Sequence, residues 1–281
     1  MEENSGLVDL NLSVRFGGYM AFKVKALIMR GPGTNCNMEA QWAMELCGAE
    51  VESFHINRLI ENPQILRKFH LLAIPGGFTY GDDISAGAVL ALEIRKFLGE
   101  ELRKFIDDGK LVIGICNGFQ VLIKSGFLPG NSLNGKATLF FNDSAKFECR
   151  WINLKKNEEN KSPFLSKLPS IIPCPVAHAE GKFITSDSKT LKAVESQNQV
   201  AFTYVDKSGK EGDYPVNPNG SMNHIAGITD DTGRVLGMMP HPERNIFPTH
   251  LPDLRRANPS GVSVGLKLFE GGIEYLKSTF S

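Results

Sequence analysis

Neither sign of charge is in excess in this chain of 281 residues: Lys plus Arg and Asp plus Glu both number 31. Bulk electrostatic attraction to nucleic acid or an anionic membrane is therefore excluded, and no stretch interleaves aromatic and basic residues as an RNA or single-strand platform would. Long hydrophobic runs are missing too. None approaches the roughly 18 apolar residues of a membrane helix, and the opening segment, with Glu2 and Glu3, lacks a signal-peptide core. The five cysteines (Cys36, Cys47, Cys116, Cys149, Cys174) are odd in number, widely spread and free of any C-x-x-C pair. That argues against both a disulfide framework and a zinc ribbon. These absences predict a cytoplasmic protein in a reducing compartment, with no metal, nucleic-acid partner or membrane partner.

A phosphate-binding loop is missing by a narrow margin. Gly130-Asn131-Ser132-Leu133-Asn134-Gly135-Lys136 has the G-x-x-x-x-G-K spacing, but Ala137 stands where Ser or Thr would hold magnesium, and a helix precedes it and a strand follows, the reverse of the required order. The segment reads as a turn. With no other nucleotide motif, any ATP-dependent chemistry belongs to a partner.

With 42% hydrophobic residues the chain can bury a full core. Apolar runs alternate with amphipathic segments through the first half: VKALIM (24–29), a helix around 37–48, a strand near 50–54, LLAIP (71–75), a helix over about 90–107 and LVIGI (111–115). The alternation predicts an α/β fold, a mostly parallel sheet with helices on both faces. Catalytic groups then gather at the carboxyl ends of strands. Three Gly-rich or polar turns fall at such ends: RGPGTNCN, PGGFTYGDD and CNG. The second half, with β-like runs at 137–141, 147–153, 199–205 and 234–239, reads as a mixed sheet with long loops. Within it, 154–170 reads as a solvated excursion and 207–220 as a long loop. One domain is expected over 22–281, with an N-terminal extension at 1–21 (Met20 being an alternative initiator) and a tail from about 247.

Gly114-Ile115-Cys116-Asn117-Gly118 carries the chemistry. It is the cysteine form of the G-x-S-x-G nucleophile elbow, in which flanking glycines relieve crowding around a strained residue. An isolated cysteine is more often a small buried hydrophobe; the glycine frame reverses that reading. If Asn117 opens the next helix, its positive end favours a thiolate and its N–H meets a developing oxyanion. A thiol needs a base with an orienting group, and two His-x-Glu pairs offer one: His241-Pro242-Glu243 and His178-Ala179-Glu180. On an extended segment i and i+2 point the same way, so spacing alone does not separate them. Gly76-Gly77 could supply further oxyanion contact through backbone N–H groups.

The long motifs GICNGFQVLIKSGFLPG (114–130), PGGFTYGDD (75–83), NPNGS (217–221) with IAGI (225–228), and GRVLGMMPHPER (233–244) resemble the class I, triad-type glutamine amidotransferases. Within them they resemble the branch supplying ammonia to the purine-synthesis enzyme that converts formylglycinamide ribonucleotide to its amidine. The resemblance spans roughly 22–247. It implies a flavodoxin-like central sheet, mostly parallel and flanked by helices, with a smaller mixed or antiparallel sheet. It also implies that Cys116 is the nucleophile, His241 the general base and acid, and Glu243 its orienting partner. Gly77 and Asn117 then match the oxyanion-hole donors, and Gln120, Asn142, Ser144 and Phe147 match the grip on glutamine, while His178 and Glu180 become neighbours. The implied substrate is L-glutamine. The implied partners are a large synthetase subunit carrying ATP and magnesium and a small third subunit, with no cofactor in this chain. Asp83-Ile84-Ser85 departs from the Tyr-Leu-Arg of many relatives and bears on docking or activation by the partner. Other readings are a glutaminase serving another synthetase, a cysteine hydrolase of related fold, and a noncatalytic assembly subunit.

Overall fold

The central strands are buried on both faces, as their uninterrupted apolar sequences require. In order the chain forms β1 (Lys25–Arg30), α1 (Asn37–Leu46), β2 (Glu50–His55), α2 (Ile56–Glu61), β3 (Leu71–Ile74), α3 (Ala88–Glu93), α4 (Gly99–Asp107), β4 (Leu111–Ile115) and α5 (Asn117–Ser125). It continues with β5 (Ala137–Phe141), β6 (Glu148–Lys156), β7 (Ile171–His178), β8 (Glu180–Thr185), α6 (Ser188–Ser196), β9 (Val200–Val205), β10 (Ile225–Thr229), β11 (Val235–Met238) and α7 (Val264–Phe280). The computed structural model describes residues 22–130, 133–252 and 263–281. The expected extension at 1–21, and Asn131 and Ser132 of the rejected phosphate loop, lie outside them.

One sheet runs β2-β1-β3-β4-β11-β10-β9-β6-β7, and β5 pairs with β8 in a second. From β2 to β11 the pairing is parallel, in the 2-1-3-4 order of a flavodoxin-like core. From β11 to β7 it is antiparallel, and β5 and β8 are antiparallel as well. The two halves differ in burial as their pairing demands. β3 and β4 are buried at every position, whereas β7 and the first part of β8 alternate buried and half-buried residues.

Several elements escape a reading by periodicity. β7, IIPCPVAH, carries Pro173 and Pro175, which demote a strand in sequence; it sits at the sheet edge, where a missing N–H costs nothing. The helix expected over about 90–107 is two helices joined by a π turn at Ile94–Leu98, and the inserted residue keeps Ile94, Leu98 and Leu102 buried in succession. The expected solvated excursion at 154–170 is a correction: Leu154, Phe164, Leu165 and Leu168 are buried. α7 lies within the expected tail and contributes Leu266, Leu268, Phe269, Ile273 and Leu276 to the core. Its Gly271 and Gly272 allow the helix to lie directly on Pro163 and Phe164: an added Cβ would sit 2.6 Å from Pro163 O and 2.7 Å from a Phe164 ring carbon.

Candidate active site

Cys116 stands between β4 and α5 with φ 53° and ψ −107°, backbone that an L-residue seldom adopts. Both flanking glycines are there because chain passes too close for anything larger. A Cβ on Gly118 would lie 1.8 Å from Ile74 O, and one on Gly114 would lie 2.5 Å from Gly118 O. The turn is pinned by Cys116 N–H donating to Met238 O at 2.8 Å, so β11, which leads to His241, also fixes Cys116. The Cys116 thiol points to Ala177 O at 3.5 Å.

His241 reaches the same place from the end of β11. Its backbone N–H donates to Pro175 O at 2.8 Å and, close by, Asn245 Nδ2 donates to Pro173 O at 2.8 Å. The prolines of the edge strand thus offer carbonyls that tie down the loop carrying the imidazole. His241 Nδ1 meets Glu243 Oε1 at 2.7 Å, and both side chains are buried. Burial alone would pull the imidazole toward its neutral form. The Glu243 carboxylate, with the sulfurs of Cys116 and Cys36, outweighs burial and holds the pKa well above the ordinary histidine value. Among the described residues, Nε2 of His241 is buried and lacks a hydrogen-bond partner, a feature of the kind that marks reactive sites.

Gly76 is the floor of this cluster. An ideal Cβ there would stand 2.8 Å from His241 Cε1, 3.1 Å from Cys36 Sγ and 3.4 Å from Cys116 Cβ. Gly77 follows with φ +152°, and a Cβ on it would lie 2.5 Å from Gly33 O. Phe78 N–H donates to Gly33 O and Asn35 N–H to Gly76 O, so the Thr34–Gly77 bridge is a non-hydrogen-bonded pair and leaves the Gly77 N–H outside it. The Asn117 N–H, first in α5, likewise has no intrahelical acceptor. Asn117 Oδ1 accepts from Thr79 Oγ1 at 2.6 Å, and its Nδ2 donates to Gln120 Oε1 at 2.9 Å. Gln120 Nε2 donates onward to Glu180 O at 2.6 Å. Thr79 was not among the residues singled out by sequence.

The second His-x-Glu pair is split by the fold. His178 closes β7 and Glu180 opens β8, with Ala179 between them. His178 Nδ1 meets Asn142 Oδ1 at 3.1 Å, while Glu180 Oε2 accepts from Ala86 N–H at 3.1 Å. With the Asn142 amide rather than a carboxylate at Nδ1, His178 is pushed down to about 3 by burial, reinforced by the charge of His241. Identical spacing therefore yields opposite shifts in the two histidines, because only one bonds its glutamate.

Asn142 donates to Lys146 O and His178 O, and its Oδ1 accepts from Gly181 N–H and faces His178 Nδ1. Its side-chain bonding capacity is thus used within the protein, ordering the loop that carries Ser144 and Phe147. Ser144 Oγ donates to Glu148 Oε1 at 3.3 Å, and the exposed Phe147 ring lies 6.2 Å from that of Phe78, next to Gly77. Cys36, also missed, lies in RGPGTNCN, one of the three strand-end turns; position in the topology was the available signal.

Known proteins resemble this chain over most of its length. The family described as CobB/CobQ-like glutamine amidotransferase domain matches residues 23–276. The chain is 44% identical over 257 residues to the phosphoribosylformylglycinamidine synthase subunit PurQ of Dehalococcoides mccartyi, covering 91% of this chain and 98% of that one. It is 42% identical over 241 residues to the PurQ subunit of Treponema denticola, covering 80% and 89% respectively. A chain of the PurLQS structure from Thermotoga maritima superposes with a TM-score of 0.68 at 33% identity, covering 91% of this chain and all (100%) of that one. This chain accordingly belongs to the CobB/CobQ-like glutamine amidotransferase family and, within it, to the PurQ subunits of phosphoribosylformylglycinamidine synthase.

Proposed function

We propose that the chain is the glutaminase subunit of a phosphoribosylformylglycinamidine synthase, releasing ammonia from L-glutamine for an ATP-dependent partner in purine synthesis. The observation that carries the reading is the convergence of Cys116 with the buried His241–Glu243 pair above Gly76. In the proposed reaction the Cys116 thiol proton passes to His241 Nε2 as sulfur attacks the side-chain carbonyl carbon of glutamine. The carbonyl oxygen becomes an oxyanion held by the N–H groups of Gly77 and Asn117. His241 returns the proton to the departing nitrogen, the C–N bond breaks and ammonia leaves a thioester. Water, deprotonated by His241, then attacks the thioester and releases glutamate and the thiol. Glu243 keeps the Nδ1 proton in place and stabilises the imidazolium throughout.

Gln120 orients Asn117 at the oxyanion site, and Asn142 orders the rim where Ser144 and Phe147 meet the amino-acid end of glutamine. ATP and magnesium reside on a large synthetase subunit, assisted by a small third subunit. The similarity to a chain of the PurLQS structure supports such an assembly. A reducing cytoplasm suits five free cysteines, and no helix among the described residues is long and apolar enough to cross a membrane.

The test is glutamate release from glutamine, measured with the purified chain and again with the synthetase, ATP and formylglycinamide ribonucleotide. Cys116→Ala is expected to abolish glutamine-dependent synthesis, by on the order of 10³-fold or more, while free ammonia still supports the partner. Full glutamine-dependent activity in that variant overturns the nucleophile assignment.

A further inference from the structure

The catalytic cluster contains a second thiol for which the reaction has no covalent use. Cys36 precedes α1 and is 1% exposed. Its sulfur, a ring nitrogen of His241 and a carboxylate oxygen of Glu243 all lie within 4.8 Å of one another. Its proton is committed: the thiol donates to Asn35 Oδ1 at 3.1 Å. Sulfur lone pairs are therefore what it presents on its other sides. One receives Arg244 Nη2 at 3.1 Å, and Arg244 is itself 3.7 Å from Glu39. The remaining side shares the space above Gly76 with the imidazole.

The geometry points to Cys36 as a positioning residue for His241: its sulfur lone pairs favour the protonated imidazole and hold the ring over Gly76. The raised pKa of His241 agrees, since burial opposes it and Glu243, Cys116 and Cys36 favour it. Among the described residues, the other titratable groups near the ring come from three elements. Glu243 is on its own loop, Cys116 comes from the elbow, and Cys174 and His178 come from β7, both neutral because burial disfavours their charged forms. Arg244, whose partners are Cys36 and Glu39, brings a positive charge to the far side of the Cys36 sulfur. Cys36 thus assists the steps in which His241 must hold a proton, chiefly ammonia departure, without touching the substrate.

Cys36 matters to turnover only if the chain is a glutaminase, so this assignment rests on that reading; the titration of His241 does not. The experiment is NMR titration of the His241 ring in the full chain, assigned by its loss in His241→Gln. It is compared among the unsubstituted protein, Cys36→Ala, Cys36→Val, Cys36→Ser and the exposed-site control Cys149→Ala. Valine fills the sulfur's volume without lone pairs and supplies the measurement should alanine fail to fold. The midpoint should fall by about one pH unit in Ala and Val, stay within a few tenths of a unit of the original in Ser and be unmoved in Cys149→Ala. An unmoved midpoint in a folded Ala or Val variant, or an equal fall in Ser, overturns the assignment. In the assembled enzyme, the alkaline limb of glutamine turnover should move down with the midpoint in Ala and Val. If the unsubstituted enzyme released no glutamate, the glutaminase reading would fail while the His241 titration still decided the role of Cys36.

Discussion

Gly114 and Gly118 were legible as an elbow from spacing alone, but their cause is in the contacts: one approaches a helix carbonyl, the other a strand carbonyl. Gly118→Ala should cost more than about 3 kcal/mol and lower glutamine turnover by at least about 10²-fold, measured by urea unfolding and glutamate release. A stable, active Gly118→Ala enzyme would refute the contact argument. The choice between two His-x-Glu pairs was not legible, because it depends on where chain reversals fall and not on residue spacing. The shifts of the two histidines also predict pH dependence. His178 is depressed to about 3 in the folded protein against an ordinary 6.5, so below 6.5 the unfolded chain binds the proton that the native site refuses. Its contribution to stability is complete above pH 6.5 and lost as pH falls toward 3, at up to about 1.4 kcal/mol per pH unit. His241, with its raised value, acts oppositely: its contribution is complete below the ordinary value and lost as pH rises through the folded one. Chemical denaturation from pH 7.5 to 4.5 should therefore show a shallower acid-side loss in His178→Gln than in the original chain; identical slopes would contradict it.

At the scale of elements, the parallel half was readable because a strand buried on both faces writes itself as a continuous apolar run. β1, β3 and β4 do so. β7 was not readable, since its prolines are the marks of a turn, and only its edge position makes them tolerable. α6 was missed although Asp187 caps it, its side chain accepting from Thr190 N–H at 2.7 Å, because its apolar stripe is narrow. The turn at Pro163–Leu165 was hidden by the charges around it, yet it seats α7. Phe164→Ala should therefore destabilise the protein by roughly 3–5 kcal/mol in a urea titration, and Gly272→Leu should do comparable damage from the helix side. If Phe164→Ala lowered stability by less than about 1 kcal/mol, the turn would not be a support for α7.

Across the whole molecule, the site is assembled from both halves of the large sheet. The parallel half supplies Cys116, and the antiparallel edge holds His241 through Pro175 O. Neither half can loosen without separating Cys116 from His241, so loss of activity and loss of near-ultraviolet circular dichroism in urea should coincide. Activity lost well before the optical signal would show that the antiparallel half opens separately. The site also ranks the five cysteines by exposure: Cys149 is exposed, Cys47 half-buried, and Cys36, Cys116 and Cys174 buried. For chemical labelling this sets an order of reaction. A bulky maleimide dye in short exposure should mark Cys149 on β6 first, giving an optical handle that leaves the reactive centre untouched. A small electrophile shaped like glutamine should instead be delivered to Cys116, so two probes could be installed in sequence on the native chain without removing a single thiol.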